Sequence, residues 1–293
     1  MKKLIAIVGT TASGKSSVAK YIINALPNTE AISIDSRQVF KKLDIGTGKD
    51  KTFLQHLLDI KNPGESISVV EFQSIVLKTI EKIIQNHKIP LLVGGSNYYM
   101  DAIIYKREFP ALKTDKKLHE KLNKMSIVKL YNLLKSCDED RANNIDIHNK
   151  RRLIRALEIN ILSGKKTLKK EQVMSRDYRY PTLILGIEID REKLFSSIDK
   201  RVEGRIDEGM IKEVRDLIDQ GVSKNWLKNL GLEYQIITEY LEAKYSKDEM
   251  IQILKFKIHS FARRQLTWLR SNKDIVWVQN KEEALTYVQD FVL

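Results

Sequence analysis

Eight residues near the start of the chain, Gly9-Thr10-Thr11-Ala12-Ser13-Gly14-Lys15-Ser16, fit the phosphate-binding spacing G-x-x-x-x-G-K-S/T at every fixed position. The apolar run Leu4-Ile5-Ala6-Ile7-Val8 precedes them. Ser16 to Ile23 follows, with Val18, Ala19, Ile22 and Ile23 on one helical face. Strand, glycine-rich loop and helix in that order predict an α/β fold, a P-loop NTPase-like core whose parallel sheet is flanked by helices. Gly9 and Gly14 let the backbone curl so that successive N–H groups point inward. The start of the helix adds partial positive charge. Lys15 is placed to reach terminal phosphates, and the Ser16 hydroxyl to ligate Mg²⁺. The loop predicts a site for a di- or triphosphate and leaves open whether that ligand is ATP.

Ala31-Ile32-Ser33-Ile34 reads as a short buried strand that ends in Asp35-Ser36-Arg37-Gln38. Ligands of open α/β sheets bind beyond the carboxyl ends of strands. Asp35 and Ser36 are therefore expected at the P-loop mouth, with Asp35 as a general base or a Mg²⁺ partner. A helix cap is the other role open to Asp35. His56-Leu57-Leu58-Asp59-Ile60 reads as a further short strand, and His87 to Gly94 as another that turns at Gly94-Gly95 into Ser96. Ser96 is either a ligand hydroxyl at the same sheet edge or the cap of a helix over 97–104. Helical spacing also marks 68–85, 191–218, 234–240 and 247–270, with Gly221 and Asn225 in a loop. A last strand is expected at 274–278 and a closing helix at 282–291. No strand near Leu91 to Ser96 ends in the aspartate of a Walker-B segment, which speaks against ATP hydrolysis.

From about Lys113 to Arg179 strand signals stop. The resulting division is core over 1–112, an all-helical insertion over 113–180, and core again over 181–293. Leu118, Leu122 and Met125 share a face, as do Leu130, Leu133 and Leu134. A helix over 149–162 turns Leu153, Ile154, Leu157 and Ile161 inward, while Arg151, Arg152 and Arg155 project together at spacings of three and four. Lys165, Lys166, Lys169 and Lys170 extend this basic surface. Over the whole chain 51 Lys and Arg stand against 38 acids, a net charge of +13. A small-metabolite enzyme does not need that excess. A polyanionic partner explains it, nucleic acid before an anionic membrane surface. No apolar run is long enough to span a bilayer. The P-loop begins inside the window of the apolar N-terminal run, which is therefore read as a buried strand and not a signal peptide. Cys137, the single cysteine, excludes intrachain disulfides and suits a reducing cytoplasm. The five histidines lack metal-ligand spacing, so a structural zinc is not expected.

The ordered set of motifs resembles the tRNA dimethylallyltransferases, also called tRNA isopentenyltransferases. Beside the P-loop the matching stretches are Ser33 to Phe40, Leu43-Asp44-Ile45-Gly46-Thr47, His56-Leu57-Leu58-Asp59, Leu92-Val93-Gly94-Gly95-Ser96, Arg152 to Glu158, and Phe261 to Arg270. The resemblance implies transfer of a dimethylallyl group from dimethylallyl diphosphate to the exocyclic amine of the adenosine 3′ of the anticodon, tRNA position 37. By the same resemblance the diphosphate would lie on the P-loop, with Mg²⁺ bridging it to Ser16, and Arg201 would help hold it. Asp35 would orient the amine and take its proton. Ser96 stands where the family usually has threonine, and Thr10 where proline is usual. Asp35, Ser36, Arg37, Gln38 and Ser96, with Arg151, Arg152, Leu153, Ile154 and Arg155, match stretches that touch tRNA in the family. The helical insertion would then grip the anticodon stem-loop. A monomer with no membrane contact is expected. The P-loop alone also admits a small-molecule or nucleoside kinase, or a non-catalytic RNA-binding switch.

Overall fold

The first strand shows why the chain folds around its N-terminus. In β1 (Leu4–Val8) all five side chains are buried, and period-2 alternation sends them to two different cores. Leu4, Ala6 and Val8 join one apolar cluster and Ile5 and Ile7 another. A strand covered on both faces reads as a continuous apolar run, as parallel sheets require. The computed structural model describes residues 2–109, 115–163 and 176–293. Lys113 and the basic residues Lys165, Lys166, Lys169 and Lys170 lie outside the described residues.

After β1 come α1 (Lys15–Ala25), β2 (Thr29–Ser33), β3 (Gln55–His56), α2 (Val69–Gln85), β4 (Ile89–Gly94) and α3 (Asn97–Ile104). A second group of helices follows: α4 (Lys116–Asn123), α5 (Ile127–Cys137), α6 (Glu139–Asn143) and α7 (Lys150–Ser163). The chain continues with β5 (Thr182–Ile187), α8 (Arg191–Asp207), α9 (Met210–Asp219), α10 (Lys224–Leu230), α11 (Leu232–Leu241), α12 (Lys247–Arg270), β6 (Ile275–Val278) and α13 (Lys281–Val292). Met1–Tyr105 with Tyr178–Leu293 makes one unit, and Lys106–Asp177 the other.

In the first unit six parallel strands run in the order β3-β2-β4-β1-β5-β6. Ile5 faces Leu91 of β4 on one side and Leu183 of β5 on the other. The chain leaves β1 for β2, fills the gap with β4, then crosses to β5. The order reverses at β1, so the crevice beyond its carboxyl end is the expected ligand site. Val18, Ala19 and Ile22 of α1 and Ala284 and Val288 of α13 cover Ile5 and Ile7. Phe72, Val76 and Ile80 of α2, with residues of α8 to α12, form the other core. Each such fully buried large side chain contributes about 1.5–3 kcal/mol. Helix starts follow from sequence: Ser68 accepts from the Glu71 N–H, and Ser246 and Glu249 form a reciprocal capping box.

Four expectations need correcting. The segment from His56 to Ile60 is not a strand beyond His56, because Leu57 and Asp59 take positive φ of 70° and 58°. The expected helix over 191–218 is broken at Gly209, whose φ of 102° no helix accommodates. The supposed loop at Asn225 is α10, held by buried Leu227 and by the Trp226 indole donating to the Glu65 carbonyl at 2.8 Å. In the second unit Leu122, Leu130, Leu134, Leu153, Ile154 and Leu157 form the core, but Ile161 is 51% exposed and Leu133 37%. Among the described residues no helix is long and apolar enough to cross a membrane.

Candidate active site

The loop between β1 and α1 takes the conformation its glycines allow. Gly14 caps α1 with φ 88°, and Ala12 also lies at positive φ, 60°. The buried hydroxyls of Thr10 and Ser13 have no hydrogen-bond partner among the described residues, and the Lys15 ammonium donates to the Thr10 carbonyl. A cavity of about 650 Å³ opens here, all within the first unit. Thr11 to Ser17 form its floor. Asp35 to Gln38 enter from the end of β2 and Gly94 to Tyr99 from the end of β4. Arg201 and Arg205 come from α8, and Phe261, Arg264, Gln265 and Trp268 from α12.

Five cations line this space, Lys15, Arg37, Arg201, Arg205 and Arg264. Burial first, then the charge of nearby Arg201, lower the Lys15 pKa to about 7, against the pull of Asp35. Burial and the adjacent Arg205 likewise lower Arg201 to about 10, against Glu233 and Asp35. Cations crowded in this way create a field that an anion relieves. An incoming diphosphate must raise the Lys15 pKa, so binding takes up a proton wherever Lys15 is neutral in the free protein. Between about pH 7 and 9 the affinity for inorganic diphosphate should fall as pH rises; below pH 7 Lys15 adds no dependence. Calorimetry at pH 8 in buffers of different ionisation enthalpy should show the wild type taking up close to one proton per site more than Lys15→Met, a difference in which the ligand's own titration cancels.

The structure places Asp35 at the cavity and gives it no helix to cap. Its Oδ1 accepts from the Arg37 N–H at 2.9 Å, and its carboxylate lines the cavity. What it caps is a turn, since no helix follows. Ser96 stands at the N-cap of α3, yet its side chain makes no cap hydrogen bond, and it too lines the cavity. Ser36 is at the cavity wall. Arg37 packs its guanidinium against Gly231, where a Cβ would come within 2.7 Å of it. Gln38 is committed internally: it accepts from the Ser33 hydroxyl at 2.6 Å and donates to the carbonyls of Thr47 and Gly48.

The loop over 43–48 explains a matched motif to which sequence reading gave no role. Glu213 of α9 accepts from the backbone N–H groups of Asp44, Ile45 and Gly46 at 2.7, 2.7 and 3.0 Å, and from the Tyr234 hydroxyl at 2.8 Å. Lys49, whose side chain is fully buried, bridges Asp44 and Asp59, which gives the acid of the His56 motif its partner. The clamped loop lies against the arginines. Arg205 donates to the Gly46 carbonyl at 3.3 Å. A Cβ on Gly48 would come within 1.8 Å of Arg205 and 2.2 Å of Arg201, so only glycine lets both guanidinium groups reach the cavity. Glu213→Ala leaves three backbone donors without their acceptor and is expected to cost about 3 kcal/mol, read as a lower urea midpoint at unchanged m-value.

Among the described residues no cluster of three or more His, Cys, Asp or Glu could hold a metal unaided. The Ser16 hydroxyl and Asp35 carboxylate do share the cavity with the anion cradle. That donor set fits Mg²⁺, which commonly takes one or two protein oxygens and completes its shell with phosphate and water.

In the second unit Arg151 and Arg152 of α7 are exposed, whereas Arg155 pairs with Glu158 at 3.2 Å, which also meets His119 at 2.7 Å. Leu153 and Ile154 are 0% and 3% exposed in that unit's core. Any RNA contact by side chains of this stretch therefore falls to its arginines. Sequence reasoning missed Arg205, Glu213, Tyr234 and Gln265 as site residues. The four-residue spacing of Arg201 and Arg205 was a usable signal; nothing local marked Glu213.

Fold and cavity together define a P-loop α/β protein built to hold a phosphorylated anion beside a carboxylate. A family model described as IPP transferase matches residues 38–272. The chain belongs to the IPP transferase family. A tRNA dimethylallyltransferase of Acetivibrio thermocellus is 36% identical, over 97% of this chain and 93% of its own. The one from Natranaerobius thermophilus is 37% identical, over 100% and 92%. Among solved structures, a full-length tRNA isopentenylpyrophosphate transferase from Bacillus halodurans superposes with a TM-score of 0.73 at 31% identity, covering 100% of this chain and 96% of its own. A eukaryotic dimethylallyltransferase caught acting on tRNA gives 0.86 at 26% identity, covering 100% and 80%.

Proposed function

We propose that this chain transfers the dimethylallyl group of dimethylallyl diphosphate to the exocyclic amine of the adenosine 3′ of a tRNA anticodon, forming N6-dimethylallyladenosine and diphosphate. The observation that carries the proposal is the placing of Lys15, Arg201 and the Asp35 carboxylate around one cavity at the sheet's switch point. In the reaction the amine nitrogen bonds to the allylic carbon. The carbon–oxygen bond breaks with its electron pair going to the leaving diphosphate, and the amine proton goes to Asp35. Lys15, the P-loop N–H groups and Arg201 stabilise charge that grows on the leaving oxygen, an effect largest where water is excluded. When bound, Mg²⁺ held by Ser16 would neutralise part of the same charge. The Ser96 hydroxyl is available to the entering base, which must leave its stack to reach the cavity. Asp35, Ser36, Arg37 and Ser96 are assigned to the tRNA loop, with Gln38 holding that wall from within through Ser33, Thr47 and Gly48, and exposed Arg151 and Arg152, with Arg155, to its phosphates. The working form in this reading is a cytoplasmic monomer.

The test is incubation with unmodified tRNA, Mg²⁺ and labelled dimethylallyl diphosphate, without ATP. Label should appear in tRNA. Label left in the free diphosphate, with ATP consumed in a parallel tube, would instead support a kinase.

A further inference from the structure

One side chain ties the two halves of this cavity together. Gln265 of α12 is 7% exposed. Its Oε1 accepts from the Thr11 N–H at 2.9 Å, and its Nε2 donates to the Gly95 carbonyl at 2.7 Å. The backbone partners fix the orientation of the amide, since an N–H can only donate and a carbonyl can only accept. Thr11 belongs to the phosphate loop after β1, and Gly95 to the turn after β4 that presents Ser96. A Cβ on Gly95 would lie 2.9 Å from Gln265 Nε2, 3.2 Å from the Gly9 carbonyl and 3.5 Å from Lys15 Nζ. The turn is thus pressed onto the phosphate loop beside the ammonium. The same residue's carbonyl accepts from the Asn97 amide at 3.2 Å, which fastens the first turn of α3 to the same point of α12.

Resting on the reading above, we infer that Gln265 is a positioning residue that sets the spacing between the diphosphate cradle and the β4 turn. It acts through Thr11 and Gly95, and it chemically needs one donor and one acceptor on a single planar group. Glutamine has both. A glutamate has both only when protonated. Ionised, it keeps the bond from Thr11, sets two acceptors facing each other at Gly95, and adds a negative charge beside the phosphates.

The test uses the full-length protein with Gln265→Met and Gln265→Glu. For Gln265→Met the Kd for inorganic diphosphate should rise at least tenfold and kcat for prenyl transfer fall at least tenfold, with tRNA affinity by filter binding within twofold of wild type. For Gln265→Glu the ratio of its kcat to that of wild type should climb at least fivefold between pH 8.5 and 6, as the carboxyl gains its proton. A purely structural role would not produce that recovery. Diphosphate affinity and kcat both within twofold of wild type in Gln265→Met would overturn the inference. So would a ratio for Gln265→Glu that stays flat with pH. Wild-type protein that binds diphosphate but does not prenylate would instead sink the proposed reaction, while diphosphate affinity would still read the Gln265 clamp.

Discussion

Lys15→Met is expected to lower kcat/KM for the prenyl donor about 10³-fold, roughly 4 kcal/mol of transition-state stabilisation. On the proposed reading the ammonium sits where diphosphate charge develops, with Arg201 on the same cavity wall. Methionine keeps most of the volume and removes the charge. The loss should not come from unfolding. Because the folded pKa, about 7, lies below the usual lysine value of 10.5, the unfolded chain binds more protons between these values. Stability of the wild-type protein should therefore rise with pH across that window, and Lys15→Met should flatten the rise. At pH 7 the ligand-free variant should melt no lower than wild type. Steady-state kinetics and thermal melts at pH 7 and 9 check both. A variant that kept more than a tenth of wild-type kcat/KM would show that the leaving charge is neutralised elsewhere.

Asp35→Asn should lower kcat by about 10³-fold, within the range for a lost general base, while tRNA affinity stays within about twofold. Asparagine keeps an oxygen for the Arg37 N–H that Asp35 Oδ1 accepts, so the turn survives, but it cannot take a proton from the amine. Asp35→Ala should abolish turnover and also loosen the turn that places Arg37 against Gly231. Single-turnover chemistry with saturating donor, together with filter binding of tRNA, separates these effects. If Asp35→Asn lost tRNA binding and chemistry in equal measure, Asp35 would be an anchor for RNA and not its base.

These predictions draw on residues whose visibility in the sequence differs for physical reasons. The P-loop is a local object: its curl, its helix start and its lysine are set within eight consecutive residues, and the structure reproduces them. The alternation of β1 and the caps at Ser68 and Ser246 are equally local. Asp35 and Ser96 were legible as strand-end residues because parallel sheets gather those ends on one edge. Which of two roles each plays was not legible, since a cap hydrogen bond depends on a rotamer and a neighbour. The break at Gly209 was missed because apolar spacing carries across a kinked pair of helices. Leu57 was misread because leucine gives no signal of a positive φ; Asp59 is of a type that takes one more readily, but its apolar neighbours Leu57, Leu58 and Ile60 carried the strand reading.

By itself the sequence determined a parallel-sheet fold opening on an anion cradle, a helical segment between its two halves, and a basic balance suited to a polyanion. The tertiary structure alone decided what surrounds the cradle. Arg205 from α8, Gln265 from α12 and the Glu213 clamp on the Gly46 loop make contacts across 159 to 254 residues of chain. Long-range meetings of this kind depend on how helices pack over the sheet. No period or motif within a single segment encodes that packing.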